Sequence, residues 1–147
     1  MVSAVSTSKL ASTQKITGII ATGGTSVVTA YHSLALFETI GFLATVAALT
    51  GAGITKLEIV VATNASGAGL AVAKDSGALL ANAVGDQAFL EATVDEIAQL
   101  SSVAGVLYSH SALRLTIANA ADVVAVTRIL ASPSYAVDLL TPASVIS

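Results

Sequence analysis

The chain has 147 residues, of which 54% are hydrophobic, 10% charged and 4% aromatic, with a formal net charge of -3. It lacks cysteine, which excludes disulfides and thiolate metal sites. Its six Lys and Arg stand singly at Lys9, Lys15, Lys56, Lys74, Arg114 and Arg128, so the basic patch that nucleic-acid binding needs is missing.

Residues 1–15 are rich in Ser and Thr, and their apolar members Val2, Val5 and Leu10 follow no period. They read as an extended N-terminal arm, followed by a single β-rich domain over residues 16–147. The arm is expected to contribute little to the core, and reads either as a segment that orders by adding to a neighbouring subunit or as a frayed terminus. No basic segment followed by an apolar one marks a signal peptide. The stretch Ile16 to Thr55 carries Glu38 as its only acid, but Gly18, Gly23, Gly24, Gly41, Gly51 and Gly53 interrupt every possible membrane span.

Strand signals begin at Ile16–Ala21 and continue after the turn residues Thr22-Gly23-Gly24-Thr25 with Ser26–Ala30. Leu34–Leu49 is a long apolar run that Gly51-Ala52-Gly53 breaks. Lys56–Thr63 alternates cleanly, with Leu57, Ile59 and Val61 on one face. Asn64-Ala65-Ser66-Gly67 reads as a turn, Leu70–Lys74 as a short strand closed by Asp75-Ser76-Gly77, and Gly85-Asp86 as the turn before Ala88–Thr93. Thr93 and Glu96 form a capping-box pattern that predicts a short helix ending near Ser101, with Val94, Ile97 and Leu100 on one side. Leu113–Ala118 and Val123–Leu130 read as a final pair of strands joined by a hairpin loop, Asn119-Ala120-Ala121-Asp122, with Pro133 as the stop. The tail Val137–Ile146, which carries Pro142, reads as extended. The fold class is therefore all-β: an antiparallel β-sandwich-like domain with one short helix.

Chemistry-bearing patterns are sparse. His32 and His110 lack the spacing of a zinc pair. Ser109 and Ser111 flank His110, but no G-x-S-x-G turn accompanies them. Gly51-Ala52-Gly53 and Gly67-Ala68-Gly69 lack the third glycine of a dinucleotide loop, and no phosphate-binding loop occurs. Glu91, Asp95 and Glu96 cluster without calcium-loop spacing, and read as acids complementing a helix dipole. Asn64-Ala65-Ser66 matches a glycosylation sequon by coincidence. The expectation is no catalytic, cofactor-binding or metal site, no cofactor and no enzyme activity. A weakly charged, apolar surface instead predicts a subunit covered by neighbours.

The order of features resembles the small β-sandwich structural proteins of tailed bacteriophages. The resemblance runs from Ser33 to Thr141 through Leu34–Phe42, Lys56–Val61 with its Asn-Ala-Ser-Gly loop, Gly85–Thr93 with the capped helix, Leu113–Ala120 and Val123–Arg128. It implies a virion protein, a capsid decoration or cement protein assembled in the host cytoplasm. Its expected partners are the major capsid protein, other virion subunits and further copies of itself, with neither direct nucleic acid nor membrane. The alternative within that resemblance is a neck or tail component. Leu36-Phe37-Glu38-Thr39-Ile40-Gly41-Phe42 is also similar to the E-T-R-G-F stretch of bacterial microcompartment shell domains, with Ile40 in place of the Arg. That likeness implies a shell tile with a continuous helix after the stretch. A small-ligand binder or enzyme is the rival class, and would need a polar pocket or perturbed acids.

Overall fold

The computed structural model describes residues 10–20, 26–35, 37–119 and 121–133. Among the described residues, nine strands form two sheets: β1 (Leu10–Ile20), β2 (Ser26–Val28), β3 (His32–Ser33), β4 (Phe37–Ala48), β5 (Ile54–Ala62), β6 (Ala71–Ala81), β7 (Gln87–Thr93), β8 (His110–Ile117) and β9 (Val123–Pro133). The helix α1 spans Val94–Ala104 between β7 and β8. One sheet has the order β1-β9-β4-β7, the other β2-β8-β5-β6 with β3 also paired to β8. Every pairing is antiparallel. The all-β sandwich expected from the alternation is the fold observed.

Period-2 alternation decides which side chains lie between the sheets. From the first sheet come Ile40, Phe42, Ala44 and Val46 of β4 and Val124, Val126 and Leu130 of β9. From the second come Leu57, Ile59 and Val61 of β5 and Leu113, Leu115 and Ile117 of β8. Ile54 joins the same side although it is three residues from Leu57, because a register shift between Ile54 and Lys56 resets the phase.

The helix begins where the sequence places it. The Thr93 hydroxyl accepts the Glu96 N–H at 3.2 Å, and the Glu96 carboxylate accepts the Thr93 N–H at 2.8 Å. It runs one turn beyond Ser101, because the stop is Gly105 in a left-handed conformation, donating its N–H to the Ser101 carbonyl at 2.9 Å. Ile97 anchors it in the core, and Lys74 of β6 pairs with Glu96 at 2.6 Å. Replacing Thr93 with Ala leaves the first turn uncapped, with an expected loss of about 1 kcal/mol. Urea unfolding should show it as a lower midpoint at unchanged m-value.

Three sequence readings require correction. Asn119–Asp122 is not a hairpin loop: β8 and β9 lie in different sheets, and the segment arches between them. The cause is the Asp122 carboxylate, which accepts the N–H groups of Thr50, Gly51 and Gly53 at 2.6, 2.8 and 2.9 Å. Residues 49–53 form a second arch, from β4 to β5, and the two are clasped at the same end of the sandwich. Gly53 has φ +69°, and a Cβ there would collide with the Ala81 carbonyl oxygen, so only glycine fits.

Asp75-Ser76-Gly77 does not close a strand either; β6 passes through it to Ala81. The Ser76 hydroxyl accepts the Leu57 N–H at 3.0 Å, so turn chemistry is used as a bulge within the ladder. The segment after the E-T-x-G-F-like stretch is strand β4, not the helix that the shell-domain likeness requires. As for the arm, residues 10–15 belong to β1, paired with β9 of the same chain from Leu10↔Ala131 onward. Residues 1–9, the 22–25 turn and the tail after Pro133 lie outside the described residues.

Candidate functional site

The inward row of β9 reads Val124, Val126, Arg128, Leu130, so a cation occupies a core position. Arg128 is 3% exposed. Its guanidinium reaches across to the facing sheet. There Nη2 donates to the Ser33 carbonyl at 3.0 Å and approaches the Ser111 hydroxyl at 3.5 Å, while Nε has no hydrogen-bond partner. Burial alone pulls its pKa down to about 10. None of the four ion pairs among the described residues includes it.

One of the two histidines, His32, comes to this place. His32 of β3 is the register partner of Ser111, and Ser33 that of His110. Side chains directly opposite on neighbouring strands share a face, so half-buried His32 lies on the inner side with Ser111 and Arg128. Its pKa is lowered by burial first, then by the Arg128 charge and by His110. Ser109 does not behave as a nucleophile paired with His110. Its hydroxyl donates to the Thr63 carbonyl at 2.8 Å and lies 2.9 Å from His110 Nδ1. That leaves the hydroxyl as the acceptor from the ring, the reverse of general-base activation. Ser111 is fully buried.

The remaining candidates separate. Glu96 is taken up by the cap and by Lys74, and its carboxyl is held below the usual range chiefly by that lysine. Glu91 and Asp95 are exposed, and no His, Asp and Glu group among the described residues is arranged to hold a metal. A shallow hollow of about 300 Å³ opens between Phe37, Glu38, Thr39, Thr93, Val94 and Asp95, without a converging set of catalytic groups. On the outer face of the second sheet, Asp75, Lys56, Glu58 and Arg114 form a chain of contacts at 2.9, 3.1 and 2.7 Å across β6, β5 and β8. Glu58 is nearly buried and its carboxyl is held below the ordinary range, first by Arg114.

Large apolar side chains stand in solvent at several points. Val103, Val106 and Leu107 lie together at the end of α1, with Val103 88% and Leu107 77% exposed. Val84 and Phe89 add to them, Phe89 lying over the bare backbone of Gly41 on the outer face of the first sheet. No helix among the described residues is long and apolar enough to cross a membrane.

The architecture of the described residues is a two-sheet antiparallel β-sandwich with a helix between β7 and β8. No family model matches the chain, and no curated protein matches it. Among solved structures it is similar to the PBSX exported protein XepA, with a TM-score of 0.56 and 8% identity. The match covers 84% of this chain but only 38% of XepA, so the chain spans well under half of that protein. A subunit of the disulfide-linked pili of Bacillus endospore appendages aligns at a TM-score of 0.37 and 12% identity, over 86% of this chain and 91% of that one. The XepA likeness establishes the shared fold.

Arg128 is what the sequence reading overlooked. The signal was present: on a strand with apolar residues at 124, 126 and 130, position 128 is an inward position. What periodicity could not reveal is that His32, 96 residues earlier, is brought to the same place.

Proposed function

We propose that the protein is a structural subunit of a virion, and within that class a capsid decoration or cement protein that stabilises the head lattice. The observation that carries this reading is the exposed apolar cluster Val103, Val106 and Leu107 on a sandwich with few charges to keep it in water. Exposed apolar side chains close in sequence at a helix end favour burial against another subunit. The sandwich is a rigid scaffold for such contacts, and its role would be mechanical rather than catalytic. XepA, an exported protein of the phage PBSX, supports a phage setting for this fold. Many weak contacts repeated over a lattice bind firmly where one would not.

Double substitution of Val103 and Leu107 with Ser should leave the fold intact, since neither supports the core. It should shift self-association at micromolar concentration toward monomer by at least about tenfold. Sedimentation velocity measures this. A wild-type chain that stays monomeric and binds no hydrophobic dye would refute an association surface here. Mass spectrometry of purified virions with and without tails then tests location: retention in tailless heads supports decoration, and loss with the tails supports the neck or tail alternative. Absence from both preparations would refute the virion reading.

A further inference from the structure

We propose that Arg128 and His32 form a receiving site for an oxyanion, a carboxylate or phosphate group entering at the β3 edge of the sandwich. Three observations lead there. Arg128 is almost wholly buried in the core row of β9. Its Nε–H, a strong donor in a fixed fork, has no partner. No acidic side chain among the described residues is ion-paired with the guanidinium, whereas every other pairing in the molecule's described ion pairs joins a cation to a carboxylate. A buried cation without a counter-charge is among the costliest arrangements a core can hold. Two neutral acceptors, the Ser33 carbonyl and the Ser111 hydroxyl, engage one nitrogen and, among the described residues, no counter-charge accompanies them.

The route in is set by topology. β3 has two residues and, among the described residues, pairs only with β8, so it forms a short edge whose Ser33 carbonyl meets the Arg128 head group. His32 on that edge is half-buried, lies on the inner side opposite Ser111, and is close enough to Arg128 to feel its charge. An oxyanion resting there would accept a charge-assisted hydrogen bond from Arg128 Nε and a second from the His32 ring. The two oxygen-bearing groups share this chemistry, whether the source is a free acid or an Asp or Glu of a second copy. The site does not depend on the assembly reading and can stand or fall without it.

Binding should be linked to pH. The charges acting on His32 are Arg128 from β9 and His110 from β8, both of which disfavour its protonation, and no carboxylate opposes them. An anion held between His32 and Arg128 relieves that repulsion, so the ring binds a proton more readily in the occupied site. Affinity for the anion therefore rises as pH falls from 8 toward 6.

The experiment is a titration of the full chain with acetate and, separately, inorganic phosphate at matched ionic strength, following the Arg128 Nε–H resonance by NMR. The expected result is a saturable shift of that resonance, with at least a several-fold tighter midpoint at pH 6 than at pH 8. The melting midpoint should rise by roughly 2–4 °C at about tenfold excess over the midpoint concentration. Arg128→Met, which keeps the apolar volume while removing the buried charge, should fold and should lose the anion-dependent rise. His32→Gln should keep the resonance shift and lose its pH dependence. Sedimentation in the same buffers separates the sources: acetate that dissociates oligomers marks the occupant as an acidic side chain of a second copy, and unchanged oligomers mark it as a free acid. A resonance that does not move in either anion overturns the proposal, as does an Arg128→Met chain that gains the same stabilisation as wild type.

Discussion

Asp122→Ala is expected to lower the melting midpoint by on the order of 10 °C, one of the largest effects of any polar substitution in the molecule. The carboxylate accepts three backbone N–H groups from Thr50, Gly51 and Gly53, and solvent reaches none of its side chain. Removing it leaves those donors without their acceptor and releases both arches at once, because the same acid organises residues 49–53 and holds the start of β9 against them. Ala118 also donates its N–H to the Gly53 carbonyl at 3.2 Å, a bond that depends on the arches staying in register. Asp122→Asn keeps the shape and should recover part of the loss.

The pH dependence has a definite sign. The N–H group of Thr50 first, then those of Gly51 and Gly53, outweigh burial and hold the Asp122 carboxyl below its ordinary range. Its stabilisation is thus fully present above the unfolded value near pH 4 and is lost as pH falls through the lower folded value. Melting curves between pH 7 and pH 2 should show wild type and Asp122→Asn converging at the acid end. Curves that remain parallel throughout would mean the carboxylate charge contributes nothing.

Phe42→Ala is expected to cost about 3–5 kcal/mol, enough to unfold a large share of a marginally stable domain. Phe42 is the largest of the fully buried side chains and stands at the centre of β4, the strand that pairs with both β7 and β9. Its truncation leaves a cavity between two sheets whose strands cannot close in without losing register. Phe89 supplies the internal control. It is 51% exposed on the opposite face of the same sheet, so Phe89→Ala should cost far less. Guanidinium unfolding of the two variants measures the contrast. Equal losses would place Phe42 outside the core and contradict the alternation on which the fold rests.

These contrasts show what kind of information the chain carries in linear form. Most strand segments, the core faces of β5 and β8, and the Thr93 cap follow from alternation and local hydrogen-bonding chemistry. Each depends on residues a few positions apart. The absence of cysteine and the low charge likewise follow from the sequence alone. The sheet to which each strand belongs does not. Asn119–Asp122 has the composition of a tight turn whether it links two strands of one sheet or arches between two. Only the distant N–H groups of residues 50–53, some 70 residues earlier in the chain, decide between them. Asp75-Ser76-Gly77 is equally ambiguous until Leu57 is placed opposite Ser76.

The same division holds for the site. The inward position of Arg128 was legible from its row, because period 2 is a local property. That its partners are a carbonyl on β3 and a hydroxyl on β8, with a half-buried histidine within reach of its charge and no carboxylate among the described residues ion-paired to it, was decided by the tertiary structure. A side chain's place in an alternation is written beside it, whereas its counter-charge comes from whatever the rest of the chain folds against it.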